Sequence, residues 1–487
     1  MPERSSTRRR FLQHAAAGGM FLPYVFTGGR AGAASPNDRF NVLAVGVRGR
    51  GAAVAIGAAH YGKVVASADV DSASSESFLT RLAEYQKDKP AVYRDYREAL
   101  ERADVDVVTI GTPDHWHAKI LVDSLRAGKD VYCEKPMTLT IDEGKLVSRV
   151  VRETGGVVQI GTQQRSEYEG RFLKAVALAR SGRLGDRLTA TVLLPPQYGR
   201  DFGPFPFGDP PETLDWDFWL GPVRKLPYCQ KRCHGSWRNF VETGHGPLTD
   251  WGVHQVDIAQ WALGAEGSGP LEVRAGGAFP QGRQTTLAVL EGRPPDAYQT
   301  NHFSTVVEYQ AELKFAGGHV MRIEGTEKSW QAGKRRIGVK LEGDKGSLWV
   351  SRDELTGELV EKIESDPKQA AWLMEELVKL YGGTRPDWDH PIIRIADIMP
   401  TTHMEDFLAA IRSRRQPIAD VFSHHRSNTS CILANAAALL DRELTWDPKS
   451  EQFVGDDQAG ALLSRPQRQP YAVGASSFST APSCPSP

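Results

Sequence analysis

The feature that most limits how this chain can fold is a regular alternation of short β-branched runs and longer helical stretches between Arg39 and Gly161. The strand-like runs are FNVLAVG (40–46), KVVASAD (63–69), VDVVTIG (105–111), KDVYCEK (129–135) and GVVQIG (156–161). Helical sequences such as SASSESFLTRLAEYQ and HAKILVDSLRAGK separate them. Because parallel strands need a long crossover to reach each other, this order predicts βαβ units on a parallel sheet in a first domain, residues 38–161.

The first predicted strand runs into a glycine-rich turn, GVRGRG (46–51), which opens a helix. Backbone amides at such a helix N-terminus can face a pyrophosphate. The turn departs from the G-x-G-x-x-G pattern because Arg48 replaces its second glycine. Three interpretations stay open: the Arg48 guanidinium reaches the phosphates, Gly49 provides the close approach of backbone, or the phosphate site is lost.

An acid at the end of the second predicted strand argues against loss of the site. Asp69 lies 18 residues after Gly51. A carboxylate at this position accepts hydrogen bonds from the ribose hydroxyls of NAD and repels the extra phosphate of NADP. Asp71 is the other candidate, and a plain turn or helix cap is the structural alternative. Turn, helix and acid together predict a site for NAD.

Five motifs carry a resemblance to a known family: TPDHWHA (112–118), VYCEKPMTLT (131–140), GTQQR (161–165), DWDFWLGP (215–222) and GPLTDWGVHQVD (246–257). In this order they resemble the glucose-fructose oxidoreductase/inositol dehydrogenase/MocA family over nearly the whole mature chain. The resemblance implies an α/β protein. Its N-terminal Rossmann domain precedes a substrate-binding α+β domain, residues 162–455, on an open, mostly antiparallel sheet.

The sequence of the second half fits such a sheet independently. Apolar and polar residues alternate over 304–315, 319–326 and 346–351, which is typical of half-buried strands. A helical stretch near 425–443 would complete the domain and pack back on the Rossmann domain. We also expect a homo-oligomer formed through this C-terminal sheet.

The resemblance implies an NAD-dependent oxidoreductase that acts on a secondary hydroxyl of a sugar, glycoside or polyol such as an inositol. Hydride transfer from an alcohol needs a base for the hydroxyl proton and positive charge near the developing alkoxide. Two alternatives stay open. One is a redox-neutral, NAD-dependent glycoside hydrolase, lyase or epimerase, and the other is a non-catalytic sugar-binding module.

Lys135 is the first of three predicted catalytic residues. It ends a strand at the sheet edge where open α/β sheets bind ligands. By the resemblance it is the lysine of the family's EKP motif, which contacts both the nicotinamide ribose and the substrate oxygen. A surface charge is the structural alternative.

Asp250 and His254 are the other two. They lie four residues apart, so a helix would place them on one face as an acid and imidazole pair. The resemblance makes His254 the base and Asp250 its orienting carboxylate. The alternatives are a helix cap beside a buried histidine, or two metal ligands joined by His234 or His245, in no recognised motif; we predict no metal. The family's second histidine is replaced by Gln255, which leaves the substrate open.

Supporting groups complete the predicted site. Gln163 and Arg165 follow the last strand of the first domain and either meet substrate hydroxyls or hold the interdomain seam. The predicted substrate contacts are Gln163, Arg165, Asp250 and His254. The predicted nucleotide contacts are Gly46, Arg48, Gly49, Arg50, Gly51, Asp69, Thr112, Pro113, His117, Glu134 and Lys135.

The N-terminus has the pattern of an export signal. TRRRFLQ (7–13) precedes a short apolar stretch and a small-residue site at 31–35. It resembles a bacterial twin-arginine signal, so we expect removal of residues 1–33 and a periplasmic protein. Because no free NAD pool exists there, an exported dehydrogenase must hold NAD tightly and return it to its starting redox state in each cycle.

Composition excludes several other classes. The 487 residues carry a formal net charge of −1, which offers no bulk attraction for nucleic acid. Five cysteines are too few for a disulfide scaffold, although Cys229 and Cys233 could pair. No later apolar run is long enough to span a membrane. The tail at 467–487 is polar and rich in Pro and Ser, which predicts disorder.

Overall fold

The computed structural model describes residues 39–197, 201–380 and 402–474. The predicted signal at residues 1–33 lies outside them. Within these ranges the first sheet has six strands, all parallel, in the order β3-β2-β1-β4-β5-β6. The strands are β1 (Phe40–Val45), β2 (Gly62–Ala68), β3 (Ala91–Tyr93), β4 (Val107–Ile110), β5 (Asp130–Cys133) and β6 (Val158–Ile160). This order is that of a dinucleotide-binding sheet, and the predicted parallel sheet is confirmed.

Helices follow the first five strands, as the alternating sequence predicts. They are α1 (Gly49–Ala59), α2 (Ser72–Leu82), α3 (Tyr96–Leu100), α4 (Asp114–Arg126) and α5 (Ile141–Thr154). Side-chain caps set several of their starts: Asp71 accepts from the Ala73 amide at the start of α2, and Thr140 forms a capping box with Glu143 at the start of α5. No side chain among the described residues caps α1.

Both faces of the first sheet are buried. Leu43 and Val45 of β1 pack in a cluster with residues of α4 and α5, whereas Val42 and Ala44 point to the opposite face and pack with α1. Apolar side chains on both sides explain why the strand sequences are continuous apolar runs rather than alternating ones.

The second sheet is mostly antiparallel, as predicted. Over the described residues it has nine strands in the order β13-β12-β11-β7-β10-β9-β8-β14-β15, and only β7 and β10 pair in parallel. The strands are β7 (Thr189–Leu193), β8 (Glu272–Ala278), β9 (Glu308–Lys314), β10 (Val320–Gly325), β11 (Gly338–Gly343), β12 (Gly346–Val350), β13 (Leu355–Thr356), β14 (Leu444–Asp447) and β15 (Gln452–Phe453).

The two faces of the second sheet differ in polarity. Leu313, Met321 and Ile323 face a core that includes several helices of this domain, whereas Lys314–Glu272 and Arg322–Glu312 ion pairs lie on the exposed face. The remaining helices are α6 (Arg171–Arg180), α7 (Trp216–Leu220), α8 (Pro247–Asp250), α9 (Gly252–Ala262), α10 (Arg283–Leu290), α11 (Glu327–Ala332), α12 (Glu358–Ser365), α13 (Pro367–Leu380), α14 (His403–Ser413), α15 (Val421–Leu440) and α16 (Asp457–Gly460).

Two helices of the second half pack against elements of the first sheet, which agrees with the expected return of a C-terminal helix to the Rossmann domain. Phe407 and Ile411 of α14 pack in the same cluster as Val42 and the α1 residues. Helix α15, found at 421–440 rather than 425–443, contacts both β8 and α5. A Cβ at Gly144 of α5 would lie 2.2 Å from Nδ1 of His425, so these two helices pack at close range.

The start of the predicted disordered tail is ordered. Arg468 forms an ion pair with Asp217 at 2.8 Å, and the Tyr471 ring stacks on Phe218 with 5.6 Å between centroids. Disorder is therefore wrong for 467–474, because this segment gains aromatic and ionic contacts that its polar composition does not reveal; 475–487 lie outside the described residues.

Two other expectations concern cysteines and membranes. Cys229 and Cys233 are both buried and unpaired thiols. In the part of the chain that the structure describes, no helix combines the length and apolar character needed to cross a bilayer.

Candidate active site

A cavity of about 470 Å³ lies at the carboxyl ends of the first sheet's strands. Its floor is formed where β1, β2, β4 and β5 end, at residues such as Gly46, Asp69, Thr112 and Lys135. Residues of the second half, His254 among them, also line it. The volume is in the range of small-molecule sites, and the position is where open α/β sheets bind ligands.

The glycine turn is built for close backbone packing. Gly46 has φ +74°, and a Cβ at Gly51 would lie 1.9 Å from the Gly46 carbonyl oxygen, so neither position accommodates a side chain without movement. Gly49 has φ +51°, and a Cβ there would meet no atom within 4 Å. The backbone at Gly49 is thus bare towards the cavity it lines, which favours its role as the point of close approach.

Asp69 ties the end of β2 to the glycine turn. Its carboxylate accepts from the Val47 amide at 2.9 Å and from the Asp71 amide at 3.0 Å. Burial raises the pKa of Asp69 to about 6, which leaves it ionised at neutral pH. A carboxylate has about four acceptor sites, so Asp69 keeps capacity for ribose hydroxyls. Asp71 is committed elsewhere, to the α2 cap and to His234 at 2.9 Å.

Arginines surround the same turn. Arg48 is exposed and lines the cavity next to the bare Gly49 backbone. Arg50 donates from Nε to Oε1 of Glu134 at 2.8 Å, and Gln163 donates to the same oxygen at 3.1 Å. Glu134 is therefore a bridge between the turn after β1 and the segment after β6, and all four side chains line the cavity.

The segment after β4 contributes Thr112, Pro113 and His117. All three line the cavity, and Pro113 precedes the first turn of α4. The His117 ring nitrogens lie 2.7 Å from the Pro136 carbonyl oxygen and 2.9 Å from that of Thr112. His117 is only 1% exposed, and burial lowers its pKa. It acts as a brace that holds the turn after β5, and hence Lys135, beside the turn after β4.

Lys135 and Asp250 form the central ion pair of the cavity. Nζ of Lys135 donates to Oδ1 and to the backbone oxygen of Asp250, each at 2.7 Å, and Nε of Arg238 donates to the same Oδ1 at 2.9 Å. Burial alone would raise the pKa of Asp250, but Lys135 and Arg238 outweigh it and lower the pKa to about 2. Since an ammonium group has three donors, one N–H of Lys135 is left for a ligand in the cavity.

The predicted Asp250–His254 pair is not formed. Among the described residues no hydrogen bond or ion pair joins the Asp250 carboxylate to His254; the carboxylate contacts Lys135 and Arg238 instead. His254 lines the cavity with 5% exposure, and its buried Nδ1 has no hydrogen-bond partner among the described residues. Burial, together with the nearby charges of Lys135 and Arg352, holds the pKa of His254 well below 6.5. The imidazole is therefore neutral and able to accept a proton.

Arg165 does not face the cavity. Its guanidinium pairs with Asp257 at 2.6 Å and lies 4.7 Å from the centre of the Trp261 ring, with 3% of the residue exposed. A buried arginine needs such a carboxylate partner, so its predicted substrate contact is wrong and its role is that of the interdomain seam. Gln255 is likewise turned away, paired with Gln164 through amides at 3.2 and 3.3 Å.

Several cavity residues have no signal in the sequence motifs. Arg238 lies between the recognised motifs and reaches Asp250 only because the chain folds back before α8. Tyr168, Trp251 and Arg352 form a group beside His254 and come from distant parts of the chain. Trp251 does sit within GPLTDWGVHQVD, so its motif could have suggested it. Arg352 follows a strand that carries no recognised motif, so the sequence alone could not have identified it as a cavity residue.

The described residues fit NAD on structural grounds. The bare Gly49 backbone, an α1 N-terminus without a side-chain cap and the Asp69 carboxylate are the features that pyrophosphate and ribose require, and they lie along one cavity. No group of three or more His, Cys, Asp or Glu side chains in the described ranges is arranged to hold a metal ion.

Two family models match the chain. Residues 40–162 match "oxidoreductase family, NAD-binding Rossmann fold", and residues 205–289 with 354–473 match "oxidoreductase family, C-terminal alpha/beta domain". The matched segments together span about two thirds of the chain.

Individual proteins are similar over shorter stretches. Levoglucosan dehydrogenase of Pseudarthrobacter phenanthrenivorans is 26% identical over 275 residues, 54% of this chain and 60% of that protein. The NAD-dependent scyllo-inositol 2-dehydrogenase of Bacillus subtilis is 27% identical over 172 residues, 35% of this chain and 39% of that protein. The chain thus spans three fifths or less of these curated relatives.

One solved structure shows how far the fold likeness extends. A levoglucosan dehydrogenase in complex with NADH and levoglucosan superposes with a TM-score of 0.55 at 19% identity, over 84% of this chain and 99% of that chain. At this identity the likeness concerns the fold.

Proposed function

We propose that this chain uses NAD to oxidise a secondary hydroxyl of a sugar, glycoside or polyol. The chain belongs to the glucose-fructose oxidoreductase/inositol dehydrogenase/MocA (Gfo/Idh/MocA) family of oxidoreductases and has its NAD-binding Rossmann domain. The observation that carries the proposal is the placement of Lys135 and His254 on the same cavity as the glycine turn and Asp69. The similarity to a levoglucosan and a scyllo-inositol dehydrogenase supports this substrate class.

The chain's own residues account for the acid-base part of the reaction. When bound, NAD supplies the hydride acceptor. Asp250 and Arg238 fix the Lys135 ammonium, whose remaining N–H stabilises negative charge on the substrate oxygen. His254, held neutral by burial and by Lys135, accepts the hydroxyl proton as the carbonyl forms.

The role of Asp250 differs from the one predicted from the sequence. Asp250 orients the lysine rather than the histidine, so the negative charge is placed where it fixes a cation and not where it raises the basicity of the base. A neutral imidazole close to a fixed ammonium group suits a substrate hydroxyl whose own acidity is increased by that ammonium.

The function is tested by the nucleotide and by a single turnover. We expect protein released from its ligands by denaturation to yield NAD or NADH, identified by mass. A separate native sample, loaded with NAD, should develop nicotinamide absorbance with a member of a panel of pyranosides and inositols. A single turnover also detects transient oxidation, so a redox-neutral hydrolase, lyase or epimerase would show a rise followed by a fall. No nucleotide and no binding on addition would favour the sugar-binding module.

The preference for NAD over NADP can be tested with a variant of Asp69. Asp69→Ser removes the carboxylate that would repel a ribose phosphate, so the ratio of Kd for NADP to Kd for NAD should fall by about tenfold or more. Because the Asp71 carboxylate is engaged by His234 and the α2 cap, Glu76→Gln, on the exposed side of α2, is the better control and should leave the ratio unchanged. An unchanged ratio in Asp69→Ser would contradict the ribose assignment.

We further propose export by the twin-arginine route and internal recycling of tightly held NAD, both from the N-terminal sequence pattern. Replacing Arg8 and Arg9 with lysine should leave unprocessed protein in the cytoplasm, as cell fractionation would show. Normal export of this variant would remove the basis for recycling.

Self-association through the second sheet also stays a proposal, which light scattering of the mature chain would test.

A further inference from the structure

The cavity is lined by more positively charged side chains than its acidic side chains neutralise. Among the described residues that line it, six are lysines or arginines and four are aspartates or glutamates. Lys135 and Arg238 share Asp250, and Arg50 pairs with Glu134. Arg48 and Arg94 lie near the nucleotide end, beside the glycine turn and after β3, where phosphates are expected. Arg352 is the basic residue that neither an acid nor the nucleotide site explains.

Arg352 lies at the other end, among the residues that would face the substrate. Its guanidinium carbon is 4.9 Å from the centre of the Tyr168 ring and 5.0 Å from that of Trp251. Its Nε is buried without a hydrogen-bond partner, and its guanidinium forms no ion pair with any residue in the described ranges. Because no carboxylate of the described residues occupies the guanidinium of this cavity-lining arginine, its terminal N–H donors are left for a ligand.

The backbone around Arg352 is held firmly. It lies in the turn of the β12–β13 hairpin, where the Ser351 hydroxyl accepts from the amides of Asp353 and Glu354 at 3.2 and 3.1 Å. Arg171 donates to the Arg352 carbonyl oxygen at 3.0 Å. Two aromatic rings and a tied turn therefore fix a planar guanidinium in one place, which is the preorganisation that specific binding requires.

We propose that the substrate carries a carboxylate, as a uronic or aldonic acid does, and that Arg352 binds it while the reacting hydroxyl lies against Lys135 and His254. A single guanidinium with a free donor edge matches a singly charged, planar carboxylate through two parallel hydrogen bonds. A sugar phosphate, with its larger charge, would call for more than the one cation that is unpaired at this end among the described residues.

Arg352 and His254 line the same cavity and share Trp251 as a neighbour. Burial is the main cause of the lowered pKa of His254, and the positive charges of Lys135 and Arg352 lower it further. The imidazole is therefore within electrostatic reach of both cations. Trp251 contacts the Arg352 guanidinium and lies 6.2 Å, centroid to centroid, from the His254 ring. A monosaccharide acid could thus span from His254 to Arg352. The hydroxyl part of this inference rests on the proposed function, and the carboxylate part does not.

The test compares stereochemically matched ligands on NAD-loaded protein. Calorimetric binding and single-turnover rates are measured for glucuronate and glucose, galacturonate and galactose, and glucose 6-phosphate. We expect at least one uronate to bind roughly 10- to 100-fold more tightly than its neutral partner. Arg352→Met should bring that ratio close to one, and Arg352→Lys should give an intermediate ratio because it keeps charge but loses the second hydrogen bond.

Arg336→Gln is the matched control. Arg336 also lies over an aromatic ring, at 4.9 Å from the centre of Trp349, and it pairs with Glu354 of the same hairpin, but it does not line the cavity. It should keep the wild-type ratio. Equal binding of uronate and neutral sugar, tighter binding of the phosphate, or an equal loss for all ligands in Arg352→Met would overturn the inference. Uronate that binds through Arg352 without reducing NAD would contradict the proposed oxidation and leave the inference standing.

Discussion

Replacing Lys135 with methionine should lower the single-turnover rate of nicotinamide reduction by about a hundred- to a thousandfold, while bound NAD is retained. The reason is that the ammonium, fixed by two 2.7 Å hydrogen bonds to Asp250, supplies the positive charge that stabilises the developing alkoxide. Methionine keeps most of the side-chain volume and removes only that charge and its donors. Stopped-flow absorbance of the NAD-loaded variant, with any substrate that the wild type oxidises, gives the rate directly.

Two comparisons make this result specific. Lys63→Met removes a lysine that pairs with Asp88 at the surface and does not line the cavity, so it should keep the wild-type rate. Because Arg238 still neutralises Asp250 in Lys135→Met, the variant should fold, and thermal unfolding would confirm it. A folded Lys135→Met protein with an unchanged rate would remove Lys135 from the chemistry.

Replacing His254 with glutamine should lower the same rate by about a hundred- to ten-thousandfold, because the side chain that accepts the hydroxyl proton is lost. The pH dependence separates this role from a structural one. The pKa of His254 lies well below 6.5, so the wild-type rate should fall only as the pH drops well below 6.5 and the imidazole becomes protonated. In His254→Gln that acid limb should be absent. Single turnovers at saturating NAD prevent the titration of Asp69 near pH 6 from entering the profile.

Asp250→Asn distinguishes the observed arrangement from the pair predicted by sequence. If Asp250 oriented His254, the substitution would move the acid limb of the profile. Since its carboxylate instead contacts Lys135 and Arg238, the rate should fall while the limb associated with His254 remains. His60→Gln, at an exposed position after α1, is the control for loss of a histidine and should change neither quantity. An acid limb that persists in His254→Gln would show that another group accepts the proton.

The sequence alone determined the architecture and which residues of the first domain meet at one end of its sheet. Strands, helices and the glycine turn follow from local patterns, and a residue that ends a parallel strand reaches the same sheet edge as its neighbours. For this reason Gly49, Asp69, Thr112 and Lys135 could be assigned before any coordinates, and all of them line one cavity.

Tertiary structure decided the partners of those residues. Asp250 and His254 have a helical spacing, but the Asp250 carboxylate pairs with two nearby cations, Lys135 and Arg238, instead of the imidazole. Arg165 lies in a recognised motif, yet the buried charge of Asp257 holds it away from the cavity. Such pairings depend on which groups become buried together. The electrostatic free energy of a charged side chain depends on its burial and on the charges near it in space, and a local sequence pattern does not reveal these. Arg352 is the clearest case, since only the packing of a distant hairpin against Tyr168 and Trp251 makes it part of the site.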